Sequence, residues 1–178
     1  MPVLTLGPAR SPQLPIPGTE PWYAKPTDPA LSVMTDFRER SSVTVSETAT
    51  IDAALEHMKH TGVRCAFVVD ATEPVVVGLI TAYDITSETP MRHVQSMGGK
   101  HGDVLVRDIM QRIQDWRVIE IGAVEHATVA AVARLFDQTQ HSHIPVMETS
   151  DTGVRRLRGL LSAARVRRLL GHEGQRAA

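Results

Sequence analysis

The amino-acid sequence repeats itself from about residue 30 onward, and this internal repeat restricts the chain to folds built from two similar halves. The similar segments are 43–45 with 119–121, 65–70 with 143–148, and 78–81 with 159–162. Their offsets are 76, 78 and 81 residues, so the second copy is longer by a few residues, which fall between predicted elements. Loops tolerate such insertions better than strands and helices do. We therefore predict two copies of one structural unit.

The spacing of apolar residues predicts the order strand, helix, strand, strand, helix in each copy. Apolar residues fall at i, i+3, i+4 and i+7 from Ile51 to Met58 and again from Val129 to Phe136, and Gly62 would end the first helix. In the first copy strands are predicted at 43–45, 65–69 and 75–80. A sheet covered by helices on one face must bury its other face. The predicted fold is therefore α/β (α+β), two tandem β-α-β-β-α repeats packed as one pseudo-two-fold module.

The chain divides into four predicted regions. Residues 1–29 contain eight of the eleven prolines and should form an extended arm. Residues 30–100 form the first repeat and 101–171 the second. Residues 172–178 follow Gly171, which would end the last helix, and should be a frayed tail.

Composition and charge exclude several classes of function. A net charge of −1 over 178 residues gives no field that would attract nucleic acid or an anionic membrane. Arginines cluster near the C-terminus, but no aromatic residues alternate with them, so nucleic-acid binding is not expected. The single cysteine, Cys65, favours a reducing compartment. No apolar run approaches the ~20 residues of a membrane span, and no secretory signal is present, so we expect a cytoplasmic protein.

Catalytic and metal-binding constellations are not expected either. His141 with His143, and His57 with His60, could each hold a metal ion as a pair, but no acidic residue or cysteine stands at ligand spacing. Cys65 lies in an apolar predicted strand and has no candidate base beside it in the sequence. We predict that the protein is not an enzyme and has no metal site.

The segment 78–84 admits two interpretations. Thr81 ends a predicted strand, and Asp84 follows three residues later. Such a pair can cap the helix that follows, because the hydroxyl accepts a backbone N–H and the carboxylate lies near the positive end of the helix dipole. The same groups can instead bind a phosphate and the hydroxyls of a ribose. Gly78, inside the strand, indicates that something approaches the backbone closely there.

These features together resemble a tandem pair of CBS domains, the regulatory unit often called a Bateman module. The resemblance covers about residues 30–171 and is carried by GLITAYD at 78–84, IPV at 144–146, VM at 33–34 and DIM at 108–110. The first of these segments fits the family pattern Gly-h-h-Thr/Ser-x-x-Asp, where h is an apolar residue. Recurrence of the whole element order makes the resemblance specific.

The resemblance implies an adenine nucleotide or adenosyl ligand between the two repeats: AMP, ADP, ATP or S-adenosylmethionine, with no required cofactor. Thr81 would contact phosphate, and Asp84 would bind the ribose hydroxyls. The base pocket implied by the resemblance is formed by Thr44, Val63, Arg64 and Cys65.

The second copy departs from the family pattern. Ser162 keeps the hydroxyl, but Arg165 stands where an aspartate is expected. A guanidinium has only donors and cannot accept hydrogen bonds from a ribose, although it suits phosphate. Alignment with the family places His143 at the entrance of this possible second cleft. We therefore predict one adenosine-type site, built on Asp84.

The resemblance implies a stand-alone regulatory protein that senses a nucleotide and acts on an unidentified protein partner. It also implies a homodimer, to which exposed helical faces could contribute contacts. The residues of these faces are Val94 and Met97 in one helix and Val166, Leu169 and Leu170 in another. The alternative is a structural or protein-interaction module with an empty cleft, which the loss of the second aspartate favours.

Overall fold

The computed structural model describes residues 23–139 and 141–171. In chain order the elements are β1 (Thr35–Asp36), β2 (Thr44–Ser46), α1 (Ile51–Thr61), β3 (Cys65–Val69), β4 (Val76–Thr81), α2 (Ala82–Thr86), α3 (Thr89–Met97), α4 (Val106–Ile109), β5 (Gln111–Arg112), β6 (Ile119–Glu120), α5 (Ile121–Glu125), α6 (Val129–Gln138), β7 (His143–Thr149), β8 (Arg155–Ser162) and α7 (Ala163–Leu170).

Two four-stranded sheets of the same construction form the framework of the described residues. Their strand orders are β1-β8-β7-β6 and β5-β4-β3-β2. In each sheet the central pair is antiparallel, and one edge strand, β6 or β2, runs parallel to its neighbour. The other edge strand, β1 or β5, precedes the opposite repeat in the sequence. The two halves thus exchange a strand, and the prediction of two similar α/β units packed together is confirmed.

Two glycines allow the exchanged strands to approach their partners. A Cβ atom on Gly159 would lie 2.6 Å from the carbonyl oxygen of Thr35, and one on Gly78 would lie 2.8 Å from that of Gln111. Carbon and oxygen atoms do not tolerate such distances without displacement of the backbone. The close approach that Gly78 predicts is therefore made by the strand exchanged between the repeats.

Each sheet has its own apolar core, and a small third cluster joins the sheets. The first core holds Ile51 and Ile80 together with Val106, which precedes the second repeat's strands. The second core is built in the same way, with Val33 from ahead of the first repeat's strands packed among second-repeat residues. The third cluster contains Phe67, Leu79 and Leu160, which are buried where β3, β4 and β8 meet.

Local capping signals set the helix boundaries. The hydroxyls of Thr50 and Thr128 accept the N–H groups of Ala53 and Ala131, which fixes the starts of α1 and α6. Gly62 follows α1 with a φ of 71°, a left-handed conformation that glycine adopts without strain. Helix α5 is not predicted by the repeat, because it occupies the stretch in which the second copy is longer.

The exposure predicted for Val166 and Leu169 on α7 is wrong, whereas Leu170 is half-buried. Val166 and Leu169 are 1% and 0% exposed, because the apolar side of this helix packs into the second core. Val94 is half-buried against the first core, whereas Met97 is 76% exposed. An exposed apolar surface therefore remains on α3 and is not found at Val166 and Leu169.

The described end of the proline-rich region packs on the second repeat. The N–H of Ala24 donates to the carbonyl oxygen of Leu169 at 3.0 Å, and Ala24 is fully buried. The N–H of Val129 donates to the carbonyl oxygen of Asp28 at 2.9 Å. The rest of the predicted arm, 1–22, and the predicted tail, 172–178, lie outside the described residues. The repeat boundaries at 30, 101 and 171 stay predictions.

Candidate functional site

A cavity of about 950 Å³ opens between the two repeats. First-repeat residues come from β1 and the segment after it and from the end of α1 through β3, and second-repeat residues come from the start of β7 and from the junction of β8 with α7. The lining residues are Thr35, Phe37, Arg40, Ser41, Val43, Thr61, Gly62, Val63, Arg64, Cys65, Phe67, His143, Leu160, Ser162, Ala164, Arg165 and Arg168. A molecule bound there would contact both repeats.

Part of the cavity wall is apolar. The rings of Phe37 and Phe67 pack edge to face, with centroids 5.4 Å apart and planes at 81°. Val43 and Val63 are half-buried and line the same cavity. Burial raises the pKa of the Cys65 thiol to about 11, so the thiol stays protonated near neutral pH and is not a nucleophile. These side chains offer a surface suited to the face of a heterocyclic base.

Four arginines line the same cavity: Arg40, Arg64, Arg165 and Arg168. Among its described lining residues there is no aspartate or glutamate. The Nε of Arg165 donates to the carbonyl oxygen of Val33 at 3.2 Å, which holds the side chain at the wall. A guanidinium is charged at any physiological pH and donates hydrogen bonds in a planar fork that fits phosphate oxygens. The cavity thus combines apolar surface with positive charge.

Helix α7 begins at the edge of this cavity. Ser162 occupies the N-cap position, but its side chain forms no capping hydrogen bond. Ala164 and Arg165, in the first turn, both line the cavity. The first turn of a helix carries backbone N–H groups without helical acceptors and the positive end of the helix dipole. This helix start adds to the positive character of the cavity.

Thr81 and Asp84 form a capping box at the start of α2. The Thr81 Oγ1 accepts the N–H of Asp84 at 3.1 Å. One carboxylate oxygen of Asp84, Oδ2, accepts the N–H of Thr81 at 2.8 Å and its hydroxyl at 2.7 Å. Thr81 is 4% exposed. The structure therefore shows the capping interpretation of this pair, and its binding of phosphate and ribose stays a prediction.

The charge of Asp84 acts on His143 of the opposite repeat. Burial lowers the pKa of His143, and the negative charge of Asp84 opposes that effect to a smaller extent. His143 is therefore neutral near pH 7. This electrostatic interaction runs across the seam between the repeats, because Asp84 follows β4 and His143 begins β7.

A small recess of about 160 Å³ also has His143 among its lining residues, together with Trp116 and His141. The indole Nε1 of Trp116 donates to the carbonyl oxygen of Gln111 at 3.2 Å, and the ring lies 6.0 Å from that of Phe67. Small-molecule pockets commonly measure about 300–1,000 Å³. The large cavity falls in this range, and the recess is below it.

The structure groups the predicted site residues differently from the sequence-based prediction. Six of the nine line the large cavity: Val63, Arg64, Cys65, His143, Ser162 and Arg165. Thr81, Asp84 and Thr44 are not among its lining residues. Thr44 is exposed on β2, and its neighbour Val43 lines the cavity. The prediction joined each motif to loops of its own repeat. In the folded chain, Ser162 and Arg165 share a cavity with loops of the first repeat, and Asp84 lies near a strand of the second.

Several lining residues were missed from the sequence. Phe37, Arg40 and Arg168 belong to no recognisable motif, yet all three line the large cavity. The repeat itself carried one usable signal: at the offset of 76 residues, Arg40 corresponds to Trp116. A cation in one copy and an indole in the other imply that the two sides of the seam differ.

The C-terminal arginines do not form one surface. Arg155 pairs with Glu120 at 2.8 Å, Arg158 pairs with Asp36, and Arg167 lies 3.5 Å from Asp137. Arg165 and Arg168 belong to the cavity. These five arginine charges are therefore divided between ion pairs and the cavity.

Residues 23–139 and 141–171 contain neither a three-residue metal cluster nor a membrane-spanning helix. No three histidine, cysteine or acidic side chains of these ranges are placed to hold a metal ion together. In the same ranges, every helix is too short or too polar to cross a lipid bilayer.

Solved structures similar to this chain include CBS-domain proteins. CBSX2, a CBS-pair protein from Arabidopsis thaliana, is 23% identical, with a TM-score of 0.51 over 85% of this chain and 99% of that chain. A structure of CBSX2 in complex with AMP is 22% identical, with a TM-score of 0.53 over 84% and 99%. ATU1752 from Agrobacterium tumefaciens, a CBS-domain-containing protein, is 20% identical, with a TM-score of 0.54 over 79% and 91%. At these identities the similarity shows the fold alone.

Comparison with curated protein sequences gives no match. The sequence profile of the CBS domain, in contrast, matches two segments, residues 32–89 and 106–172. These segments correspond to the two halves that exchange β1 and β5, and together they cover more than half of the chain. The chain belongs to the CBS domain family.

Proposed function

We propose that this protein is a non-catalytic regulatory module that binds an adenine nucleotide in the large cavity between its two CBS repeats. The observation that carries the proposal is the convergence of six predicted site residues, from both repeats, on one cavity of about 950 Å³. This volume is at the upper end of the range for small-molecule sites. The AMP complex of CBSX2 shows that a protein of this fold binds AMP.

The cavity offers separate surfaces for the parts of a nucleotide. The base would pack against Phe37, Val43 and Val63, which supply apolar area. The phosphates would accept hydrogen bonds from Arg165 and Arg168 near the start of α7. S-Adenosylmethionine has the same base but no phosphate, so it would use only the apolar part.

A ligand in this cavity would act as a bridge between the repeats. The ligand would shift their relative orientation only if it bound one arrangement more tightly than another. The equilibrium constant between the two arrangements would then change by the ratio of the two affinities. A protein partner that contacts both repeats would then detect the bound state. The supporting feature is the composition of the walls, which come from β3 and α1 on one side and from β8 and α7 on the other.

The proposal includes a cytoplasmic homodimer. Met91 and Met97 on α3 are 50% and 76% exposed, and nearby Tyr83 on α2 is 78% exposed. An apolar surface of this kind is a candidate contact between two copies. Light scattering should give a dimer mass for the wild type and a monomer mass for Met97→Asp; a dimer for both would place the contact elsewhere.

A structural module with an empty cleft is the second candidate. The observation in its favour is the capping box, because Thr81 and Asp84 bind each other and neither lines the large cavity. In this alternative the aspartate of the family pattern serves the helix alone. Thermal unfolding in the presence of nucleotides distinguishes the two candidates.

Thermal unfolding with AMP, ADP, ATP or S-adenosylmethionine tests the proposal. A ligand at 100 times its Kd stabilises the folded state by about 2.7 kcal/mol, so the midpoint should rise with ligand concentration. Val63→Trp should abolish this rise by filling the cavity, while Val154→Trp, at a half-exposed site outside it, should not. Unchanged midpoints with all four compounds would favour the structural module. Chromatography of each nucleotide after incubation should show no turnover.

A further inference from the structure

The positive charge of the large cavity is not a feature that the two repeats share. At the repeat offsets of 76, 78 and 81 residues, its four arginines correspond to neutral or acidic residues of the other copy. The pairs are Arg40 with Trp116, Arg64 with Ser142, Arg165 with Asp84, and Arg168 with Ser87. At these four positions the cation belongs to the large cavity; at a fifth, Ser41 with Arg117, the cation belongs to the recess.

The cavity also lacks the group that would recognise a ribose. Vicinal hydroxyls are bound most strongly by a carboxylate, which accepts two hydrogen bonds, and no carboxylate is among the described lining residues. Arg165 occupies the position of the aspartate in the family pattern, and a guanidinium has no acceptor. Hydroxyls such as those of Ser41 and Ser162 remain, and each offers a weaker neutral hydrogen bond.

We infer that the ligand of this cavity is a nucleoside di- or triphosphate, recognised through its phosphates and its base and not through its ribose hydroxyls. The inference rests on the proposed function and specifies the ligand of the same site. Four guanidinium groups complement the several negative charges of such a chain of phosphates, whereas AMP carries one phosphate. A sulfonium ligand such as S-adenosylmethionine would bring a positive charge toward these arginines.

Two selectivities follow. Affinity should rise from AMP to ADP to ATP, by about tenfold for each added phosphate, the effect of one charge-assisted hydrogen bond. ATP and dATP should bind within about twofold of each other, because the 2′-hydroxyl meets no strong acceptor. Raising the salt concentration should weaken the binding of ATP more than that of AMP, since screening acts on every charge pair.

Isothermal titration calorimetry of the full chain with AMP, ADP, ATP and dATP tests both selectivities. The buffer should contain EDTA, so that bound magnesium does not alter the nucleotide charge. Arg165→Gln and Arg168→Gln should each lower the affinity for ATP by about tenfold and reduce the ratio of ATP to AMP affinity. Arg167→Gln is the matched control, because Arg167 is on the same helix but lies near Asp137 and outside the cavity. It should bind ATP as the wild type does.

The outcomes separate this inference from the proposed function. Equal affinities for AMP and ATP, or binding of dATP more than tenfold weaker than that of ATP, would overturn the inference and leave nucleotide binding in place. Binding of none of the four nucleotides would overturn both. If Arg167→Gln lowered the affinity for ATP as much as Arg165→Gln does, the loss would come from net charge. The assignment of the phosphates to the cavity would then fail.

Discussion

Gly159 shows how one residue determines whether the two halves can exchange a strand. Its absent side chain leaves room for the backbone of β1, whose Thr35 carbonyl oxygen would otherwise lie 2.6 Å from a Cβ atom. We expect Gly159→Ala to lower the free energy of unfolding by about 2 kcal/mol, because a backbone neighbour must move. Urea denaturation measures this change.

A second glycine provides the control. Gly122 lies within α5, and a Cβ atom there would meet nothing within 4 Å. Gly122→Ala should raise stability by at most about 1 kcal/mol, from helix propensity alone. Equal effects at the two positions would contradict the close packing of the exchanged strand.

His143 should make the folded protein sensitive to acid. Burial holds the pKa of His143 below its ordinary value of 6.5, with the nearby charge of Asp84 acting against the shift. The unfolded chain therefore binds a proton here more readily than the folded chain does. The contribution of His143 to stability is intact above pH 6.5 and is lost as the pH falls below it.

Substitution of this histidine tests the pH dependence. Melting temperatures of the wild type and of His143→Gln should be compared from pH 7.5 to 5.5. The wild type should lose more stability than the variant over this range. Parallel curves would show that His143 does not contribute to the acid sensitivity.

At the scale of elements, the short strand β1 is held to the second repeat by an ion pair. Asp36 of β1 accepts a hydrogen bond from Arg158 of β8, and their side chains are 24% and 11% exposed. Burial acts to raise the pKa of Asp36, but hydrogen bonds and charge from Arg158 and Arg38 lower it overall. The carboxylate is thus ionised and paired at neutral pH.

Removal of one partner should be strongly destabilising. Asp36→Ala leaves a buried guanidinium, whose Nε already has no partner among the described residues, and should lower the free energy of unfolding by about 3 kcal/mol. Glu120→Ala breaks the exposed pair with Arg155 and should lower it by at most about 1 kcal/mol. Chemical denaturation of both variants measures the two changes. Comparable losses of the free energy of unfolding would show that Asp36 is not important for holding β1.

The capping box at α2 gives a prediction that separates structure from binding. Asp84→Ala removes two hydrogen bonds of Asp84 Oδ2 and should reduce stability by about 1 kcal/mol. Affinity for ATP, measured by calorimetry, should stay within about twofold of the wild type, because Asp84 does not line the large cavity. A large loss of affinity would instead place the ligand beside Asp84.

The elements differ in how well the sequence predicts them. Helix α1 and strand β3 are predicted from local signals, namely the apolar spacing after Thr50, the glycine at 62 and the apolar run from Cys65 to Val69. Strands β1 and β5 are two residues long and have no periodicity, so their exchange between sheets is invisible in the sequence. The strand pairing in the structure reveals it, and Gly78 and Gly159 leave room for the exchanged strands.

At the scale of the whole molecule, the sequence predicts two similar halves but not which loops meet across the seam. The repeat offsets show which residues correspond, whereas the arrangement of the halves decides which ones share a cavity. Arg165 therefore lies with Val63 and Arg64, and Asp84 lies with His143. This asymmetry places a large basic cavity on one side of the seam and a recess of about 160 Å³ on the other.

A crystal structure of the protein grown with ATP tests the central claim most directly. We expect electron density for the base beside Phe37 and Val63, with the phosphates within hydrogen-bond distance of Arg165 and Arg168. Density for ATP beside Asp84 and Trp116, or an empty seam at a saturating ATP concentration, would contradict the account.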